Sequence, residues 1–225
     1  MTSFLIGVAG GTGSGKTTLT HNIISRLKRK PVAVLRADWY YREQTEIPPD
    51  LRAGLNYDHP DALEFDLLTA HLEKLRKGKV VDAPRYNFVT HNRMTETARV
   101  EPTPVIITEG ILLFADEKLR ELFDLRIFVE TAADLRLVRR LKRDIEQRGR
   151  SFESCIGQYL DTVRPMHENF VEPTKQYADI IVPASGPNEK AIAMIVDMIQ
   201  RRAEKVRRRR AGRKKKKGRK TKNDA

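Results

Sequence analysis

Gly10-Gly11-Thr12-Gly13-Ser14-Gly15-Lys16-Thr17 fits the pattern G-x-x-x-x-G-K-[ST] and decides how the rest of the chain is read. The apolar run Phe4-Leu5-Ile6-Gly7-Val8-Ala9 stands just before it as a buried strand. Just after it, Leu19, Ile23, Ile24 and Leu27 recur on one face of a helix. Strand, glycine loop and helix form the setting in which such a loop curls its backbone N–H groups around a phosphate. Lys16 is placed to reach the β- and γ-phosphates of a nucleoside triphosphate, and the Thr17 hydroxyl to ligate Mg2+. A flexible turn would have no need for the Lys-Thr pair. The loop is silent about what receives the phosphate.

Further strands follow at Val32-Ala33-Val34-Leu35, Val105-Ile106-Ile107-Thr108-Glu109, Leu125–Glu130 and Ile180-Ile181-Val182-Pro183. Between them lie helical patterns from about Asp61 to Arg76, from Ala133 to Gln147, from Phe152 to Val163, and from Ala191 to Ile199. Strands alternating with helices predict an α/β fold: three layers around a mostly parallel five-stranded sheet. Tyr86 and Phe88 alternate with polar residues, as on a small hairpin lobe. In the 133–147 helix, Leu137, Leu141 and Ile145 are expected to form the buried stripe. Arg136, Arg140 and Arg143 take another face, with Arg139 adjoining and Arg148-Gly149-Arg150 closing it, as in a helical lid bearing guanidinium groups. The 152–163 helix is expected to stop before Pro165. Asp61 is read as a helix cap, and His21, His71 and His167 as incidental surface residues.

Composition bounds the rest. The chain has 225 residues, a single cysteine (Cys155, read as a core thiol) and no apolar run long enough to span a membrane. The start Met1-Thr2-Ser3 leads straight into a strand, so no secretory leader is expected and a cytoplasmic setting is. The net charge of +13 is not spread evenly: residues 201–225 hold 15 Lys/Arg against 2 Asp/Glu, leaving 28 of each sign in the first 200. The expected organisation is therefore a folded domain over 1–200 and a disordered polybasic tail over 201–225. The tail, with Arg207–Arg210 and Lys214–Lys217 and no aromatic residues, suits non-specific polyanion binding, a solubilising role, or a nuclear-type address.

Two acids at strand ends compete for the acidic roles of phosphoryl transfer. Asp38, beside Trp39, Tyr40 and Tyr41, is preferred as general base and Glu109 as metal ligand. The residues alone leave the reverse assignment open.

Taken together the motifs resemble the uridine kinase (uridine-cytidine kinase) family over about Leu5 to Pro183. They are Gly7–Thr12 entering the loop, Asp38-Trp39-Tyr40-Tyr41, Asn56–Asp61, Pro84–Arg93, Glu109-Gly110-Ile111, Arg143-Asp144-Ile145 with Arg148-Gly149-Arg150, and Pro173–Asp179. The resemblance implies transfer of the γ-phosphate of ATP or GTP, with Mg2+, to the 5′-hydroxyl of uridine or cytidine in pyrimidine salvage, by a homotetramer. It implies Gly10, Gly11, Thr12, Gly13, Ser14, Gly15, Lys16, Thr17, Thr18, Arg148 and Arg150 at ATP, and Asp38, Lys16 and Arg143 at the reacting centre. Asp58 with Arg140 would grip the ribose hydroxyls, and Tyr86 and His91 would read the pyrimidine edge. Tyr41, Tyr57 and Phe88 would wall the base, Gln158 would border it, and Thr17 with Glu109 would hold the metal. Asn87, where the family commonly has Asp, and the bulky Trp39 depart from the pattern and bear on the acceptor pocket. Competing readings are a phosphoribulokinase- or pantothenate kinase-like enzyme, a GTPase switch, and a tail-led nucleic-acid-binding protein. The GTPase lacks an Asn-Lys-x-Asp motif here, and the neutral body makes the tail accessory.

Overall fold

The computed structural model describes residues 3–27, 32–184, 186 and 188–204. The polybasic segment beyond 204 lies outside them.

Five strands form the central sheet: β1 (Phe4–Ala9), β2 (Val32–Arg36), β7 (Val105–Glu109), β8 (Leu125–Glu130) and β9 (Ile180–Pro183). Their order is β2-β7-β1-β8-β9 and every pairing is parallel. A parallel sheet is covered on both faces, which is why its inner strands read as unbroken apolar runs. On one face Leu5, Ile106 and Phe128 meet Leu68, Leu72 and Leu75 of α3 (Phe65–Arg76) and Leu119 of α4 (Glu117–Leu122). On the other, Ile6, Val8, Ile107 and Ile127 meet Leu19 and Ile23 of α1 (Lys16–Arg26) and Ile192, Ile195 and Ile199 of the last helix, α8. That helix covers 189–204, four residues past the expected boundary, and its Ala203 is buried. The three-layer α/β fold is as predicted.

A small lobe interrupts the sheet. It contains the antiparallel pair β3 (Val81–Ala83) with β6 (Ala98–Val100) and the hairpin β4 (Tyr86–Asn87) with β5 (Asn92–Arg93). Asn87 Oδ1 accepts from the Val89 and Thr90 amides, which shapes the hairpin turn. The 42–56 segment carries one helical turn, α2 (Pro49–Arg52), with Pro in its first turn.

Four local expectations are corrected. Asp61 does not cap α3; its amide donates to His59 Nδ1 in a short turn over Pro60–Ala62, and α3 starts after Glu64. In α5 (Ala133–Arg148) the inward face is Arg136, Arg140 and Asp144, whereas Ile145 is exposed and Leu137 and Leu141 are only half-buried. This helix lies over a polar site rather than over the apolar core, so the usual sense of amphipathicity is inverted.

The helix from Phe152 does not stop at Pro165. α6 (Phe152–Gln158) passes through a π turn at Tyr159–Val163 into α7 (Arg164–Met166) and a second π turn at His167–Val171. A proline ring clashes with the carbonyl four residues back in a regular α-helix, and the wider turn just upstream makes room for it. His71 and His167 are not surface residues: His71 is buried against Tyr40 Oη at 2.9 Å, and His167 packs behind the phosphate loop beside Gly11.

Candidate active site

The glycine loop joins β1 to α1 at the carboxyl edge of the sheet. Gly13 has φ 73°, and a Cβ there would lie 2.3 Å from the Arg136 carbonyl oxygen, so only glycine fits. α1 starts at left-handed Gly15 with no side-chain cap and no acid in its first turn. Its first amides remain free for an anion. Lys16 Nζ donates to the Gly10 and Gly11 carbonyls, 2.9 Å each.

Burial strips the Lys16 ammonium of water and lowers its pKa to about 8, with Asp38 and Glu109 recovering only part. A triphosphate binds the charged form. ATP affinity is therefore expected to be level below pH 8 and to weaken as pH rises through it, by at most about tenfold per unit. Calorimetric titration with ATP between about pH 7 and pH 9.5 checks this. Lys16→Arg, whose guanidinium stays charged, should remove the slope whatever it does to the affinity itself.

Thr17 Oγ1 donates to Glu109 Oε1 at 3.2 Å, and Arg36 Nε lies 3.6 Å from the same oxygen. Burial raises the Glu109 pKa, and Arg36 and Lys16 oppose it. Glu109 Oε2 is buried with no hydrogen-bond partner. An orphan carboxylate oxygen beside a threonine hydroxyl suits a hard cation that draws its remaining ligands from phosphates and water. Mg2+ fits this pair.

The acceptor side is a cleft next to the loop. Asp38 enters it from the turn Ala37–Tyr40, directly beyond β2. Asp58, Tyr41, Tyr57, Tyr86, Phe88, His91, Arg140, Arg143, Arg148, Arg150 and Gln158 line the same cleft, together with Thr12 of the loop and Ile111. The sequence-predicted acceptor residues thus converge on one place. Tyr41, Tyr57 and Tyr86 pack with ring centroids 5.2–6.3 Å apart, and His91 stacks on Tyr57 at 5.3 Å and 21°. Desolvation, with Arg150 and Arg148, lowers the His91 pKa and keeps its ring neutral, with one donor and one acceptor nitrogen. His91 occupies the left-handed region at φ 50° at the end of the hairpin turn.

Arg140 joins the two halves. It donates to Thr12 Oγ1 at 3.3 Å and to Gln158 Oε1 at 2.8 Å. Arg143 also reaches Thr12 Oγ1, at 3.5 Å. Asp58 is buried, which raises its pKa, and Arg140 is the main opposing influence. Arg148 and Arg150, expected at ATP, lie on the acceptor side: Arg148 sits 4.6 Å over the Phe88 ring, and Arg150 bonds Gln158 and Ser154. Trp39 is half-buried against the core with the Arg36 guanidinium 6.0 Å away.

Sequence reasoning missed a second cleft behind the loop. It is lined by Gly15, Thr18, Asn22, Arg139, Ala184 and Asn188, among others, and encloses about 390 Å³. Arg139 Nη2 donates to the Ala184 carbonyl at its edge. Thr18, which the family resemblance puts at ATP, lines it. The cleft could take the base end of a bound nucleotide.

A glycine loop facing a second pocket across the ends of a parallel sheet defines a P-loop phosphotransferase of the small-molecule kinase type. Residues 5–191 match the Phosphoribulokinase / Uridine kinase family, and the chain belongs to it. It is 50% identical to the uridine kinase of Anoxybacillus flavithermus over 196 residues, which is 87% of this chain and 93% of that protein. It is 52% identical to the uridine kinase of Chloroflexus aurantiacus over the same length, 87% and 94% of the two chains. Phosphoribulokinase from Rhodobacter spheroides shares the fold at a TM-score of 0.63 with 17% identity, covering 81% of this chain and 70% of that one.

Proposed function

We infer that this chain moves the γ-phosphate of ATP or GTP to the 5′-hydroxyl of uridine or cytidine, giving UMP or CMP. The observation that carries this is the shared cleft: two carboxylates and a cluster of four aromatic rings stand against Thr12 of the phosphate loop. A flat pyrimidine suits the aromatic walls, and a ribose suits the paired acid and guanidinium. In this reading Asp38 takes the proton of the attacking hydroxyl. Asp58 and Arg140 hold the ribose, and Tyr86 and His91 read the base edge. Tyr41, Tyr57 and Phe88 enclose the base, while Gln158 orients Arg140 and Arg150 at its border. Lys16 and Arg143 neutralise the transferring group. Bound Mg2+, held through Thr17 and Glu109, would supply charge neutralisation at the donor phosphates. An acceptor without a flat ring, as for a phosphoribulokinase-like enzyme, would leave the aromatic cluster without a role.

A panel of uridine, cytidine, purine nucleosides, ribulose 5-phosphate and pantothenate, assayed with γ-labelled ATP, tests this. Label in UMP and CMP is the expected result. Label in the sugar phosphate or in no nucleoside would overturn it.

The family resemblance supports a homotetramer working in pyrimidine salvage in the cytoplasm. Leu135, Val138, Ile145, Phe152 and Leu160 offer exposed apolar surface for association. Among the described residues no helix is long and apolar enough to cross a membrane. The basic segment supports non-specific polyanion binding. The full chain should be held on immobilised nucleic acid and released by rising salt, whereas a chain ending at Glu204 should pass through with kinase activity intact. Equal elution of both would remove this role.

A further inference from the structure

Asp144 stands at the centre of the lid, and the transfer scheme above gives it no part. Its side chain is 0% exposed, yet it is ringed by three cations. Arg143 Nε is 2.8 Å from Oδ1, Arg148 Nη1 is 3.2 Å from Oδ1, and Arg140 Nε is 3.5 Å from Oδ2. Its backbone carbonyl accepts from the Gly149 and Arg150 amides, which fixes the turn that brings Arg150 back to the cleft. Each of the three arginines is then aimed differently. Arg140 faces Thr12 and Gln158, Arg143 faces Thr12, and Arg148 lies on Phe88.

We propose that Asp144 is a positioning residue for phosphoryl transfer: its carboxylate sets the directions in which Arg140, Arg143 and Arg148 present their remaining N–H groups, and it touches neither substrate. The inference rests on the kinase reading. Three guanidinium groups this close repel one another, and without a shared anion each would turn to solvent or to another carboxylate of the cleft, Asp58 or Asp38. Burial pushes the Asp144 carboxyl up, but the Arg143 hydrogen bond and the surrounding guanidinium charges hold it below the ordinary range, so it stays ionised through neutral pH.

The test is a double-mutant cycle on kcat/KM with ATP and uridine, using the full chain, Asp144→Asn, Arg143→Ala and the pair. A misplacement of about 1 Å in a reacting group costs about 10²-fold, and a loss of that size, mostly in kcat, is expected for Asp144→Asn. The double variant should then lose clearly less than the product of the two single losses, because the part of the Asp144 effect that runs through Arg143 is already gone. A residue that only supports folding would instead give losses that multiply, together with a lowered unfolding temperature. Multiplying losses, or an Asn variant within about threefold of the parent, would overturn the proposal. Asp144→Glu runs in the same cycle, so that an Asn variant that does not fold still leaves a coupled or uncoupled result. The cycle is repeated on ATP binding by calorimetry, which needs no acceptor. If the parent enzyme leaves uridine unphosphorylated, the substrate reading fails while the coupling is still measured.

Discussion

Replacing Asp38 with Asn is expected to lower kcat for uridine by about 10²- to 10⁴-fold while leaving ATP affinity nearly unchanged. Asn keeps the shape and one accepting oxygen but cannot take the proton of the attacking hydroxyl. Asp38 follows β2, and its neighbour Arg36 pairs in register with Glu109 at the end of β7, so the two acids sit at adjacent strand ends. Their surroundings differ. Glu109 is engaged by Thr17 and Arg36 and keeps one orphan oxygen, whereas Asp38 lines the acceptor cleft with Asp58. The complementary change, Glu109→Gln, should weaken binding of ATP in the presence of Mg2+ and have little effect in its absence. Steady-state kinetics together with calorimetry at fixed and zero Mg2+ decide between the roles. If Asp38→Asn instead costs ATP affinity, the two assignments are reversed.

Deoxyuridine is expected to be a worse substrate than uridine by about 10⁴-fold in kcat/KM. A buried acid that is built to meet a hydroxyl is left without a partner when the hydroxyl is missing. Asp58 is 8% exposed, with Arg140 as its counter-charge. Asp58→Ala should lose most of the activity on uridine and much less on deoxyuridine, closing the gap between them. Because burial raises its pKa, Asp58 takes up a proton at a higher pH than an ordinary carboxylate. Uridine affinity should therefore fall on the acid side sooner than deoxyuridine affinity does. Competition assays with the two nucleosides across pH give both results. Equal use of the two by the parent enzyme would remove Asp58 from the ribose.

The phosphate loop and the strands around it are legible because their signals are local: glycine spacing, a Lys-Thr pair, and apolar runs. The acceptor cleft is not local. Asp38, Asp58, Tyr86 and Gln158 come from four separate segments, and from the residues alone Tyr86 and Phe88 look like core. Only the family pattern gathers them. The inward face of α5 is hidden from the sequence for a related reason. Amphipathicity locates the apolar face, but which face is inward depends on what the helix covers, and here it covers the glycine loop. One signal for it does stand in the sequence: Arg140, Asp144 and Arg148 are four residues apart, a spacing that stacks a carboxylate between two guanidinium groups on one helical face. His71 and His167 gave no signal, since nothing near them in sequence shows that Tyr40 or the back of the loop at Gly11 will pack against them. The pair β3 and β6, three residues each, is too short for alternation to stand out.

The kinase reading requires that the triphosphate cradle and the nucleoside cleft open onto each other. A single molecule with adenosine and uridine joined 5′ to 5′ through four phosphates measures it most directly, by inhibition kinetics against each substrate in turn. Competition with both ATP and uridine is expected, at one inhibitor per chain, with an affinity at least about 10²-fold above that of uridine alone. Competition with ATP only, with uridine still binding to the inhibited enzyme, would show that the two sites do not meet.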